Sequence, residues 1–343
     1  MPAFLSSQSI WVKSLAGLVA MAFLVLSADL AVKKLIGLAA YFKLSTTFMG
    51  MTVFSLATSI PEITAHLTAS VGILRGTLDY GVGSAIVLGA NIGSDVVQQT
   101  LIMGIVVFMA GSLYFRRYFL FKSLGPMIGT TVMCIILGWD RTYSRFDGLI
   151  LFGTFLIYTY YLYVDERKHF RAEDNVPALE QGAGVPESGL QAARDGLIAV
   201  GAWVVTAICA RAVLSITERL VAVTGIGGSL IGVVTLGVAS ALPEFTTAIS
   251  GVRNKEHGIS LGTLVGSNVT NPLVAIGGGA LVSTYRVPGP LMLWDLPWET
   301  ITGAVLWAIL WITKGRLNRV GAIYLMVLYV LYITLRAMFF AVD

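Results

Sequence analysis

The sequence predicts an all-α integral membrane protein, with ten transmembrane helices arranged as two inverted-topology five-helix repeats. Three observations predict it. Of 343 residues, 56% are hydrophobic and 12% charged, with mean hydropathy +0.80, whereas a soluble domain carries roughly 25% charged residues. Apolar runs long enough to cross a bilayer, at about 20 residues each, recur along the whole chain. The segment Ala57-Thr58-Ser59-Ile60-Pro61-Glu62 returns as Ala239-Ser240-Ala241-Leu242-Pro243-Glu244, and each copy sits inside such a run.

Taken in order, the expected crossings are 10–41, 45–74, 82–111, 123–139, 147–164, 193–223, 227–252, 258–284, 296–313 and 319–341. The first is read as a retained helix and not a cleaved signal, because only Lys13 precedes its apolar run and Asp29 interrupts it. Between the fifth and sixth lies a polar stretch with Asp165-Glu166-Arg167-Lys168, Pro177, Gly182, Gly184 and Pro186. It reads as a linker, and at roughly 28 residues it is too short for a folded soluble module. The expected organisation is a first repeat over 1–164, a cytoplasmic linker over 165–193 and a second repeat over 194–343. Cys134 and Cys209 lie in apolar segments without metal or disulfide spacing and read as small core residues.

The halves align without a gap through the proline motif at an offset of 182, which matches Gly50 with Gly232, Pro61 with Pro243, Glu62 with Glu244 and Thr64 with Thr246. A second block, Gly89 to Asp95, matches Gly262 to Asn268 at an offset of 173, so the first half carries about nine extra residues near Arg75 to Gly83. With five spans per half, the second copy enters the membrane upside down. Lysine and arginine in cytoplasmic loops set the orientation. Placing the linker inside puts Lys43, Arg116, Arg117, Lys122, Arg167, Lys168, Arg171, Arg194, Arg253, Lys255, Lys314, Arg316 and Arg319 there, against Lys13, Arg75, Arg141, Arg145, Arg219, Arg286 and Arg336 opposite. Both termini are therefore expected outside a cell membrane that the chain crosses many times. Asp29 and Arg211 occupy equivalent positions, and two readings stand: a buried pair, or two side chains reaching separate interfaces.

A proline and a carboxylate are both costly in lipid. Pro removes a helix hydrogen bond, an ionisable group at membrane depth is by default functional, and interrupted helices at matching places of two halves point to an ion site. The candidate ligands are Glu62 and Glu244, the hydroxyls of Thr58, Ser59, Ser94, Ser240 and Ser267, and the amide oxygens of Gln98 and Asn271. All are oxygen donors. Hard cations such as Ca²⁺ take six to eight oxygens at about 2.3–2.6 Å, and carbonyls released at Pro61 and Pro243 could complete the shell. His66, one turn beyond Glu62, reads as a packed or outer-layer histidine and not a ligand.

These residues resemble the sodium/calcium exchangers of the calcium/cation antiporter superfamily, of the prokaryotic type without a regulatory domain, over nearly the whole chain. Members of that family carry Thr-Ser-x-Pro-Glu in the second and seventh helices and Gly-Ser-Asn-x-x-Asn or Gly-Ser-Asn-x-x-Asp in the third and eighth. The resemblance implies that Thr58, Ser59, Glu62, Ser94, Ser240, Glu244 and Ser267 face the ions. The sequence departs from the pattern at Ala241, where a hydroxyl is common, at Gln98 and Asn271, and at Asp95, which stands in the usual Asn place. The expected site therefore holds two carboxylates, with Asp95 a third if its side chain turns inward.

The leading functional reading is alternating-access exchange of Ca²⁺ for Na⁺, because two glutamates can neutralise one divalent ion or hold several monovalent ones, but not both sets. Ca²⁺/H⁺ exchange with the same glutamates protonated on the return step stays open. A cation channel is disfavoured by the paired broken helices. An enzyme is disfavoured because no Ser/His/Asp, paired-Asp protease signature or HExxH occurs. The implied partners are the lipid bilayer and the transported Ca²⁺ and Na⁺ or H⁺. No resident cofactor and no nucleic acid are expected, and the oligomeric state is not read from the sequence.

Overall fold

The computed structural model describes residues 10–41, 55–115, 117, 120–169, 184–253 and 257–343. Gly50, the start of the second expected span, Lys43, Arg116, Arg171, Lys255 and the middle of the linker, with Pro177 and Gly182, lie outside the described residues.

Two long helices, α1 (Ile10–Tyr41) and α8 (Gly189–Thr224), run side by side. Two polar links cross their contact, and a third ion pair stays within α1. Ser27 and Thr206 share a 2.9 Å hydrogen bond, Lys34 pairs with Asp195 at 2.8 Å, and Asp29 pairs with Lys33 of its own helix at 2.7 Å. The Asp29–Arg211 pair is not formed: Arg211 is exposed and lines a lateral groove of about 440 Å³ with Arg75 and Trp203. The outer faces of α1 and α8 are apolar, with Leu15, Leu18, Phe23, Leu197, Val204 and Ile208 exposed. That is the arrangement lipid favours as a solvent.

The remaining elements pack inside and beside that pair. The second span is represented by a single turn, α2 (Ser55–Thr58), and by α3 (Ile60–Leu74). The third comprises α4 (Tyr80–Val97), a π-helical turn Gln98–Ile102 and α5 (Met103–Ala110). A second π-turn, Leu120–Leu124, leads into α6 (Gly125–Leu137), and α7 covers Arg145–His169. In the second half come α9 (Gly228–Gly232), a π-turn Val233–Gly237, α10 (Val238–Ser240) and α11 (Leu242–Arg253). They are followed by α12 (His257–Thr270), a π-turn Asn271–Ile276 and α13 (Gly277–Val282). A last π-turn, Leu291–Asp295, α14 (Leu296–Ile312) and α15 (Arg319–Phe339) complete the chain. Among the described residues, seven helices are long and apolar enough to cross a membrane. The helices flanking the expected linker run into it, α7 to His169 and α8 from Gly189, so its described part is more helical than its composition suggests.

Two short ribbons join distant loops. Strand β1 (Ser112–Tyr114) pairs antiparallel with β4 (Arg316–Asn318), and β2 (Thr142–Tyr143) pairs with β3 (Tyr285–Arg286). The centre is held by close backbone contact. A Cβ on Gly93 of α4 would stand 2.7 Å from the Cα of Val233, and one on Gly237 would stand 2.7 Å from the carbonyl of Ala90. Only glycine permits that approach, as expected where helices associate without a hydrophobic driving force between them.

Candidate functional site

The local break that exposes the site is written in the chain. Pro61 has no N–H for the carbonyl of Ala57, and Pro243 none for that of Ala239. Each helix therefore stops for one residue, Ser59 and Ala241, and restarts with its glutamate in the first turn. Third- and eighth-span helices switch to π geometry at alignment-equivalent residues, Gln98 and Asn271. In the second of these Pro272 denies an N–H to Asn268. Such π-turns inside α-helices concentrate at functional sites, because they redirect side chains and loosen carbonyls.

All nine candidate ligands are buried: Glu62 is 2% exposed, Ser240 1%, and Thr58, Ser59, Ser94, Gln98, Glu244, Ser267 and Asn271 0%. A continuous hydrogen-bonded line joins four of them. Ser94 donates to Oε1 of Glu62 at 2.8 Å, Gln98 donates to the Ser94 hydroxyl at 3.0 Å, and Ser267 donates to Oε1 of Gln98. Across the centre, Ser240 neighbours Glu62 and Thr58 neighbours Glu244. Their hydroxyls bond carbonyls three residues back, Thr58 to Ser55 at 3.3 Å and Ser240 to Gly237 at 3.2 Å. Glu62 is the charged neighbour of Glu244. Oε2 of Glu62, both carboxylate oxygens of Glu244 and the Ser59 hydroxyl have no hydrogen-bond partner among the described residues. Orphaned buried carboxylate oxygens are costly, and a cation is the species that relieves several of them together. Asn271 turns elsewhere, giving its amide N–H to Oδ1 of Asp95 at 2.7 Å.

Asp95 therefore does face inward, at 0% exposure. Sequence reasoning missed the layer next to it. Glu299 of α14 is 2% exposed and accepts from Thr131 at 2.8 Å and from Gln99 at 3.3 Å, while Gln99 also donates to Asn268 at 2.8 Å. Asn268 in turn donates to Gln98 at 3.1 Å. The signal was present: Glu299 is an ionisable residue inside an expected span, two residues after Pro297, as Glu62 is one after Pro61. A second missed group is the buried ion pair of Asp295 and Arg336, both 0% exposed. Its guanidinium also reaches Ser229 at 2.6 Å, and Tyr332 donates to Asp295 at 2.5 Å.

His66 lies outside the ion-facing set. Its Nδ1 meets the Tyr285 hydroxyl at 3.2 Å, and Tyr285 donates to the His66 carbonyl at 3.0 Å. Cys134 and Cys209 are unpaired. Among the described residues no group of three or more His, Cys, Asp or Glu side chains forms a metal-binding cluster, so any cation held here relies on hydroxyl, amide and carbonyl oxygens beside its carboxylates. A cavity of about 480 Å³ opens at one end of the bundle between Asp79, Arg141, Arg286 and Asp343. Neither this cavity nor the lateral groove is lined by either site glutamate.

A polar, carboxylate-bearing centre enclosed by interrupted helices, with apolar side chains facing outward, defines a multi-pass membrane transporter of cations. The pattern of the family described as "Sodium/calcium exchanger protein" matches residues 13–164 and 196–338, and the chain belongs to that family. It is 27% identical to the inner membrane protein YrbG of Escherichia coli over 279 residues, covering 79% of this chain and 80% of the relative. It is 22% identical to the sodium/calcium exchanger MaX1 of Methanosarcina acetivorans, covering 92% and 96%. Among solved structures, the exchanger NCX_Mj soaked with Na⁺ and Sr²⁺ superimposes with a TM-score of 0.63 at 18% identity, over 95% of this chain and 99% of that one. The H⁺/Ca²⁺ exchanger CAX superimposes with a TM-score of 0.76 at 16% identity, over 97% and 83%. At those identities the likeness is one of fold.

Proposed function

We propose that this chain exchanges Ca²⁺ for Na⁺ across the cell membrane by alternating access, with Glu62 and Glu244 as the central ligands shared by both ions. The observation that carries the reading is the pair of glutamates, each in the first turn after a proline break and each buried, which together leave three carboxylate oxygens without a partner among the described residues. Thr58, Ser59, Ser94, Gln98, Ser240 and Ser267 are the neutral oxygen donors around them, while Asn271, the seventh expected one, turns to Asp95. The carbonyls of Ala57 and Ala239 lose their α-helical donors at the prolines, Ala239 accepting from Ala241 instead, and are further ligands of the same hard type.

Ten crossings in two inverted repeats make this geometry work in both directions. The two ribbons support that reading: the β1 and β3 loops follow equivalent spans, as do β2 and β4, so the β1–β4 and β3–β2 pairings exchange under the repeat. With both glutamates sealed from solvent, transport requires the bundle to open to one side at a time. Among the described residues the carboxylates have no lysine or arginine as hydrogen-bond partner, so ions or protons must neutralise them in every closed state.

The experiment is Ca²⁺ flux in proteoliposomes holding the purified chain, under imposed Na⁺ or H⁺ gradients and with conductance recorded in parallel. Saturable Ca²⁺ uptake driven by an outward Na⁺ gradient is the expected result. Uptake driven by a pH gradient and indifferent to Na⁺ replaces Na⁺ with H⁺ as counter-ion, and a gradient-independent unitary current replaces the exchanger with a channel.

A further inference from the structure

Beside the glutamate pair the structure holds a second set of buried oxygens. Asn271 gives its N–H to one oxygen of Asp95, and this leaves Asp95 Oδ2 and Asn271 Oδ1 both without a partner. Gln99, one helical turn beyond Asp95 and on the same face, gives its N–H to Asn268 and Glu299 and leaves Oε1 without a partner. That oxygen faces α14, 3.6 Å from where a Cβ on Gly303 would stand, one turn beyond Glu299. Glu299 is joined to this set through Gln99, from which it accepts at 3.3 Å. Asp95, Gln99, Asn271 and Glu299 are 0%, 3%, 0% and 2% exposed. No lysine, arginine or histidine bonds to any of them among the described residues.

Buried oxygens that lack donors call for a cation. The number of free oxygens says which kind. With Oδ1 of Asn91, which gives its N–H to the Asn271 carbonyl, four are unpartnered and only one of them is a carboxylate oxygen, fewer and less acidic than the six to eight a Ca²⁺ ion takes. A single positive charge needs less. We propose that Asp95, Gln99 and Asn271, with the negative charge of Glu299 beside them, form a second cation site selective for Na⁺ over Ca²⁺, set between α4, α14 and the π-turn of the eighth span. This rests on the reading of the chain as a cation exchanger, and it adds a monovalent position displaced from the glutamate pair toward α14. The π-turn beginning at Gln98 helps build it, since the turn lets Gln98 reach Ser94 and Ser267 while Gln99 reaches Glu299.

The test uses the full chain in detergent with both site glutamates replaced, Glu62→Gln and Glu244→Gln, so that the central site is disabled. Binding of Na⁺ and of Ca²⁺ is measured by titration calorimetry in N-methylglucamine buffer. Retained Na⁺ binding without Ca²⁺ binding, weakened at least tenfold by a further Asp95→Asn or Glu299→Gln, is the expected result. No Na⁺ binding in the double variant, or Na⁺ binding that neither further change weakens, overturns the proposal. As a measurement independent of variant folding, crystals of the unaltered chain soaked in Tl⁺ should show an anomalous peak between Asp95, Gln99 and Asn271. Tl⁺ density confined to the glutamate pair overturns it. Loss of coupled flux in liposomes with Na⁺ binding intact at Asp95 would count against the exchange reading and not against this site.

Discussion

Asn271 donates to Asp95 at 2.7 Å, and the pair that matches them under the repeat, Gln98 and Asn268, is bonded too, at 3.1 Å and with the donor exchanged, Asn268 giving its N–H to Gln98. The internal repeat thus reaches down to single hydrogen bonds, with one difference of charge. One half offers a carboxylate where the other offers an amide. The centre is pseudo-symmetric in geometry and asymmetric in electrostatics, which is what a carrier needs if two dissimilar ions are to share one frame.

The central carboxylates give the first prediction. Glu62→Gln or Glu244→Gln should each abolish Ca²⁺ flux in proteoliposomes while the protein still elutes as a folded species. Removing one charge leaves a divalent ion half neutralised in a buried cavity, at a cost of several kcal/mol. Wild-type flux in either variant would remove that glutamate from the site.

Charge movement gives the second. The glutamate pair with its neutral donors carries charge −2, neutral with one Ca²⁺ and +1 with three Na⁺, Asp95 standing apart from it on Asn271. Exchange at that ratio is electrogenic, so a valinomycin-clamped potential should shift the flux by about 2.3 kcal/mol per 100 mV for each charge moved across the full field. A flux unaffected by potential would instead fit two protons, one per glutamate.

Topology gives the third. In a cysteine-free background, Glu187→Cys beside α8 should react only with membrane-permeant thiol reagents, and Asp140→Cys in the exposed β2 loop should react with impermeant reagent from outside. The inverse labelling would reverse the orientation argued from lysine and arginine placement.

The Asp295–Arg336 pair gives the fourth. Arg336→Leu leaves a fully buried carboxylate without its cation and should destabilise the protein by about 3–5 kcal/mol, read as a lowered Tm in detergent. Adding Asp295→Leu should recover most of that loss, because a well-packed apolar pair replaces a buried ionic one at little net cost. A Tm unchanged by Arg336→Leu would show that the pair contributes nothing to holding α14 against α15.

The sequence by itself determined the helical membrane class, the paired proline breaks and the burial of nine oxygen-bearing residues. The reason is that lipid punishes unsatisfied polar groups so heavily that a carboxylate beside a proline, repeated at one offset, leaves few alternatives. The direction in which those side chains point was decided by the tertiary structure. Asp95 turns inward because Asn271 of another span meets it, Asn271 bonds to Asp95 and not to a glutamate, and Asp29 pairs within its own helix instead of with Arg211. Glu299 enters the centre through Gln99, 200 positions away in the chain, and Asp295 meets Arg336 across 41. Helical periodicity fixes which residues share a face, but where that face points is set by the partner helix, by glycine contacts such as Gly93 on Val233, and by the π-turns that rotate each side chain after Gln98 and Asn271.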